Sequence, residues 1–395
     1  MAALAEGPSR LEGVLHSDDT RHMVNGLSQL GIRVQVEGDS TLIVHGTGGQ
    51  LRAPSKPIFV GNSGTTVRFL TALSCLVHGE VTLEGDDPMS RRPIVDLTDA
   101  LQQMGVEIEC PTGCPPLTVV GGRFPGGSVR MRGDRSSQYF SALLMVAPFA
   151  DQATEIECEG QLVSRPYVEI TQRMMQDFGV TSVSRDDTFS VPVGRYRARH
   201  YRVEPDASSA SYPFALAAAS GGRITVPGLS PGSLQGDYAF LELLSSMGAQ
   251  ITADEHGTEV RGGSLRGIDV DMNHISDMVM TLAAIAPCAT GSTTIRNVAH
   301  IRIKETDRLL ATVTELRKLG QVVEHGEDWL RITPRPVTPA TIHCYDDHRM
   351  AMAFAVLSLL RPGITIDDPG CVTKTYPTFW QDVETLRSAT PDPTL

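Results

Sequence analysis

The stretch Gly61-Asn62-Ser63-Gly64-Thr65-Thr66-Val67-Arg68 is small and polar, and it runs straight into Phe69-Leu70-Thr71-Ala72-Leu73. Ser and Thr cap helices, and the free amides of a first helical turn attract anions. Arg68, one turn further in, adds a fixed positive charge. The chemistry such a turn supports is the holding of a phosphate or carboxylate. The pattern then recurs. Arg135-Ser136-Ser137-Gln138 precedes Tyr139–Leu144, and Asp206-Ala207-Ser208-Ser209 precedes Ala210-Ser211-Tyr212. His274-Ile275-Ser276-Asp277 precedes Met278–Ala283, and Tyr345-Asp346-Asp347-His348-Arg349 precedes Met350–Phe354. The spacing is roughly 70 residues, longer than ordinary solenoid repeats.

The elements that must carry these turns repeat as well. An apolar residue followed by Gly closes a helix at Leu30-Gly31, Met104-Gly105, Phe178-Gly179, Met247-Gly248 and Leu319-Gly320. Gly at this place ends a helix, and alternating apolar residues such as Val106 and Ile108 then read as strand. Each repeat therefore holds a capped apolar helix, strand, an amphipathic helix, a Gly stop and more strand: an α/β fold. Three repeats precede Glu204-Pro205-Asp206 and three follow, which divides the chain into lobes 1–204 and 205–395 related by pseudo-symmetry. A cleft between such lobes would gather helix N-termini and suit a multiply anionic ligand. One repeat back from Ser63 lands before Met1. The expectation is that Met1–Gly7 is the tail of the first apolar helix, its opening turn missing.

Within this frame Ser17-Asp18-Asp19-Thr20 caps a helix to Leu30, with strands at Arg33–Glu37 and Ser40–His45. Ile94–Met104 is a helix and Gly121–Gly127 a turn between strands. In the second half Gly236-Asp237 opens a helix to Met247, and Ile303–Arg308 starts a long helix to Leu319. Ser388–Leu395 reads as a frayed tail.

Composition narrows the function. A chain of 395 residues with 41% hydrophobic and 20% charged residues has the balance of a soluble globular protein of two or three cores. A net charge of −12 argues against a general nucleic-acid binder. The seven cysteines are odd in number and scattered, and Cys110 and Cys114 lack a partner pair at zinc spacing. A secretory leader is not expected, since no basic-plus-apolar stretch opens the sequence, and the apolar run Met278–Ala289 is interrupted by Pro287 and too short for a bilayer. These features point to the cytoplasm.

Eight motifs, in order and nearly end to end, resemble the 5-enolpyruvylshikimate-3-phosphate synthase family: Gly61–Arg68, Ser136–Gln138, Leu162–Tyr167, Asp206–Tyr212, Asp271–Asp277, Arg302–Arg308, Asp347–Ala351 and Lys374–Pro377. The resemblance implies the enolpyruvyl transferase fold, two pseudo-symmetric domains of repeated βαβαββ units. It implies transfer of the enolpyruvyl group of phosphoenolpyruvate to the 5-hydroxyl of shikimate-3-phosphate, by a monomer, with neither metal nor organic cofactor. Arg92, Arg308, Arg349 and Lys374 match positions that hold phosphoenolpyruvate, with Gln138 reaching toward it. Ser136 and Ser137 would hold the shikimate phosphate, Ser164 and Tyr167 would line its pocket, and Lys304 would contact that side. Asn62, Gly64 and His348 complete the binding set. Asp277 matches the base near the 5-hydroxyl and Glu305 the acid near the methylene carbon, aided by Lys374. On a helix Glu305 and Arg308 would share a face.

The pattern departs in places. The family's first-turn Lys-Ser…Arg motif has no counterpart, nor has the first strand. Pro88 stands where many members have Arg, and His300 where Asn is common. A relative with an altered acceptor or impaired activity is therefore the alternative reading. An enolpyruvyl transferase acting on a UDP-amino sugar is disfavoured because Met89-Ser90-Arg91 lacks a Cys.

Overall fold

The computed structural model describes residues 1–389 and divides into two compact units, Met1–Val203 and Glu204–Leu395. The tail expected from Ser388 lies outside the described residues from Thr390 on.

The first unit holds five helices: α1 (Asp18–Gln29), α2 (Gly64–Ser74), α3 (Val95–Gln103), α4 (Ser137–Val146) and α5 (Arg165–Asp177). Three sheets accompany them. One orders the strands His200–Arg202, Glu6–Glu12, Thr41–Thr47 and Arg33–Glu37, with Glu6–Glu12 parallel to the first and antiparallel to the third. A second centres on Val77–Glu84 and Leu117–Gly121, the third on Gly127–Arg132 and Thr154–Glu159. Helices α2 and α4 are apolar on nearly every side, pack on each other and fill the core. Helices α1, α3 and α5 are amphipathic and cover it, because only a stripe of each is buried.

The second unit repeats the plan with α6 (Ala207–Ser220), α7 (Phe240–Met247), α8 (Val279–Ile285), α9 (Arg308–Lys318), α10 (His348–Leu360) and α11 (Phe379–Ala389). Its sheets are Arg223–Pro227 with Gly257–Arg261 and Gln250–Asp254, then Asp269–Asp271 with Thr293–Arg296, Leu330–Thr333 and Val322–His325, then the short parallel pair Thr341–Ile342 and Thr365–Ile366. Here three apolar helices, α6, α8 and α10, pack together as the core. Every residue of α8 is buried. Helices that carry apolar side chains all round have no face to offer water. Their N-terminal turns are consequently held in place by the whole core.

The expected glycine stops are present, with positive φ at Gly31, Gly105, Gly179, Gly248 and Gly320. Two expectations are corrected. Met1–Gly7 is not a helix tail: Ala2–Leu4 forms one 3-10 turn, and Glu6 and Gly7 already belong to the strand Glu6–Glu12. Gly7 at φ +93° and Pro8, which has no N–H, do not continue a helix. Nor does the long helix start at Ile303. A 3-10 turn, Ala299–Ile303, comes first, and Asp307 caps α9 by accepting from the Leu310 amide at 2.9 Å.

Candidate active site

In the first unit the Gly61–Arg68 turn opens α2 as expected. Ser63 is the cap, and its hydroxyl accepts from the Thr66 amide. Two guanidinium groups converge on the bare Cα of Gly64. A Cβ there would lie 2.6 Å from Arg92 Nη2 and 2.9 Å from Arg68 Nη1, so only glycine admits both. Arg92 Nη1 donates to the backbone and side-chain oxygens of Asn62, each at 3.1 Å. Arg68 donates to Gln138 Oε1, and Gln138 Nε2 donates to Thr65 Oγ1 at 3.1 Å. The Arg68 guanidinium also stacks over the Tyr139 ring at 5.4 Å. Both arginines are about 95% buried. Asn62, Gly64, Arg92 and Gln138 are thus brought together.

Ser136 caps α4 through the Gln138 amide at 3.3 Å, and Ser137 follows it, both buried. Ser164 opens α5 in a left-handed conformation, φ +51°, with Tyr167 one turn on. Helix α5 packs on α4 and is tied to it by Thr171 donating to Ser141 at 2.7 Å.

The second unit gathers the charged set around Arg308, whose side chain is 2% exposed. The guanidinium reaches Glu305 Oε2 at 2.7 Å, Asp277 Oδ1 at 2.9 Å, and both oxygens of Asp347 at 2.7 and 3.2 Å. Asp277 continues to Arg349 at 3.0 Å, and Glu305 to Lys374 at 3.5 Å. Burial pushes the Asp277 carboxyl up, but Arg349, Lys304 and Arg308 outweigh it and hold it below the ordinary carboxylate range. Burial likewise disfavours a charged Arg308, yet Asp347, Glu305 and Asp277 more than compensate and raise it.

His348, the first residue of α10, is buried, and burial with Lys374 nearby lowers it well below the ordinary histidine range. His300 is lowered to about 4 by burial and by Lys304. Both imidazoles are neutral at pH 7. His300 Nε2 and His348 Nδ1 have no hydrogen-bond partner among the described residues. His348 Nδ1 lies 3.8 Å from Asp347 Oδ1. A separate cavity of about 400 Å³, lined by Asp269, Arg296, Glu324, Trp329 and Arg331, shares no residue with this set.

The EPSP synthase (3-phosphoshikimate 1-carboxyvinyltransferase) family model matches residues 1–383. The chain belongs to this family. It is 50% identical to 3-phosphoshikimate 1-carboxyvinyltransferase of Trichormus variabilis over 386 residues, covering 96% of this chain and 91% of the relative. The Shewanella loihica enzyme of that name is 45% identical over 394 residues, covering 98% and 92%. Among solved structures, EPSP synthase of Acinetobacter baumannii superposes with a TM-score of 0.81 at 25% identity, covering 98% of this chain and 91% of that one. The enolpyruvyl transferase NikO of Streptomyces tendae shares the fold, with a TM-score of 0.74 at 18% identity over 98% and 90%. The enolpyruvyl transferase fold expected from the sequence is the fold of this EPSP synthase family member.

Asp277, read as the base, is one bridge of the ion network. One reading changes. Glu305 and Arg308 do meet, but across the loop before α9, since Arg308 is that helix's first residue. Sequence reasoning gave Asp347 no role, and gave Arg68 only a fixed positive charge in the first turn. Asp347 had a signal, a carboxylate at a cap position directly before His348-Arg349. Among the described residues no group of three or more His, Cys, Asp or Glu could hold a metal ion, and no helix is long and apolar enough to cross a membrane.

Proposed function

We propose that the chain transfers the enolpyruvyl group of phosphoenolpyruvate to the 5-hydroxyl of shikimate-3-phosphate and releases phosphate. The family match over residues 1–383 supports that reaction. The observation that carries the site reading is that Asp277 and Glu305 bind one guanidinium, Arg308, at 2.9 and 2.7 Å. One rigid cation thereby orients a base and an acid side by side.

The roles rest on charge and reach. Arg308, Arg349 and Lys374 hold the phosphate and carboxylate of phosphoenolpyruvate in the second unit, and Arg92 in the first, since guanidinium groups take both anions bidentately. Gln138 reaches toward phosphoenolpyruvate; Ser136 and Ser137 hold shikimate-3-phosphate, with Asn62 and Gly64 in the adjoining turn, Ser164 and Tyr167 along its pocket, and Lys304 and His348 on the second unit's side. Addition begins when Asp277 takes the proton of the 5-hydroxyl as its oxygen attacks C2, while Glu305, which takes up a solvent proton once bound phosphoenolpyruvate draws Arg308 and Lys374 from it, delivers that proton to C3. In the elimination Glu305 takes back any one of the three hydrogens of the C3 methyl as phosphate leaves, with Lys374 beside Glu305 stabilising the leaving group, and Asp277 passes its proton to solvent.

The bound state must differ from the free one. Asp277 as it stands is a weak base, because Arg349 and Arg308 hold it ionised. A bound anion that draws Arg349 away raises its basicity as substrate arrives. We place the reaction in the cytoplasm and assign it to a monomer. Purified protein given both substrates should release phosphate and form the enolpyruvyl ether, read by mass spectrometry. Absence of phosphate release with both substrates present would overturn the proposal.

A further inference from the structure

One buried carboxylate lies outside this set. Glu315 sits in α9 and is fully buried. Its Oε1 accepts from the Tyr345 hydroxyl at 2.9 Å. Its Oε2 accepts from the His343 amide at 3.1 Å and from Lys318 Nζ at 2.6 Å. Two of these three bonds go to the segment that leads into α10. From its other side that segment is held by Asp367, which binds the Cys344 amide at 2.9 Å and the His343 ring.

The turn held by this clamp is strained. Tyr345 and Asp346 both have positive φ, +56° and +53°, a conformation that side chains with a Cβ seldom adopt. Such pairs persist only where the surroundings over-determine them. The next residue is Asp347, whose amide donates to Cys344 O at 2.9 Å. Its carboxylate caps the Arg349 amide at 2.9 Å and grips Arg308 bidentately. Arg349 then reaches Asp277. Burial and the neighbouring Glu315 carboxylate push the Tyr345 hydroxyl up to about 12, so it remains a donor throughout the neutral range.

We infer that Glu315 is a positioning residue for the reaction: by fixing His343 and Tyr345 it holds the strained turn that sets Asp347 and Arg349 against the reacting groups. It touches no substrate and acts only through that turn. The inference rests on the proposed role of Arg349 in holding phosphoenolpyruvate.

The test compares four variants by steady-state kinetics with both substrates and by thermal unfolding. Glu315→Ala removes both loop contacts and should raise the KM for phosphoenolpyruvate about tenfold or more, since small displacements of a binding group are costly. The KM for shikimate-3-phosphate should change less than that for phosphoenolpyruvate, because its proposed serines lie in the other unit and only His348 among its proposed contacts follows the displaced turn. Glu315→Gln should restore near-native values: its carbonyl can accept from His343 and its amide can donate to the Tyr345 oxygen. Tyr345→Phe removes one hydroxyl and should shift the same KM in the same direction by less, and it keeps the inference testable if Glu315→Ala does not fold. Arg349→Ala is the reference. A raised KM there, with an unchanged KM in Tyr345→Phe and in Glu315→Ala and only less active protein, overturns this inference alone. An unchanged KM in Arg349→Ala overturns the site reading and the inference with it.

Discussion

The two units solve the same problem, placing cations in a core, in different ways. In the first, Arg68 and Arg92 are tied to amide oxygens of Gln138 and Asn62 and rest on the bare face of Gly64. In the second, Arg308, Arg349 and Lys374 are tied to the carboxylates Asp277, Glu305 and Asp347. Amide oxygens orient a guanidinium, and with the bare face of Gly64 beneath them they fix the shape of the first cluster. Carboxylates neutralise as well as orient. The second cluster can take an anion only by exchanging partners, and that exchange is what frees its base and its acid.

The largest expected effect lies in the second cluster. Arg308→Met strands Asp277, Glu305 and Asp347 in a buried site, and breaking such a pair costs about 3–5 kcal/mol. Denaturant unfolding should show that loss, and turnover should fall below detection. Glu305→Gln is milder for stability and severe for chemistry. Its kcat should drop by about 10²–10⁴, the usual worth of a positioned acid, with the KM for phosphoenolpyruvate little changed.

The first cluster should respond otherwise. Gly64→Ala pushes a methyl against two guanidinium groups, and overpacking of this kind costs about 1–3 kcal/mol. The KM for phosphoenolpyruvate should rise while kcat is largely kept, as expected of a receptor whose shape alone is changed. If kcat falls as far as in Glu305→Gln, the contrast between the two clusters is wrong.

The smallest effects are in pH. Asp277 is lowered in the folded state, so its share of stability is present above the ordinary carboxylate value, about 4, and is lost as pH falls below it. Asp277→Asn should therefore differ from the parent in stability at pH 7 and converge toward it in acid. His300 has the opposite charge type. Burial holds it neutral to about 4, so the unfolded chain takes up its proton first and stability declines from about pH 6.5 down to about 4. His300→Gln should flatten that part of the stability profile.

Much of this architecture can be read from letters. Gly31, Gly105, Gly179, Gly248 and Gly320 mark helix ends because the left-handed conformation they adopt suits no other residue as well. The apolar helices α2, α4, α6, α8 and α10 were visible because beyond their first turns they are mainly runs of Ala, Leu, Val, Met and Phe with an occasional Ser or Thr. The strand Glu6–Glu12 was not: Gly7, Pro8 and Arg10 spoil its alternation, and it exists through pairing with Thr41–Thr47 and the distant His200–Arg202. At the site, residue types were legible and partnerships were not. Asp277 and Asp347 lie 31 and 39 residues from Arg308, and such spacing carries no information about which carboxylate a buried guanidinium will choose. Glu305 and Arg308 suggested a shared helix face, but Asp307 caps α9 between them and leaves Glu305 in the loop.

Turnover in deuterated water tests the central claim most directly. With both substrates, the parent protein should release phosphate and form product carrying deuterium in the enolpyruvyl methylene, because the proton Glu305 delivers to C3 comes from solvent. In Glu305→Gln both should fall together. Phosphate release by the parent with no deuterium at that carbon would contradict the account.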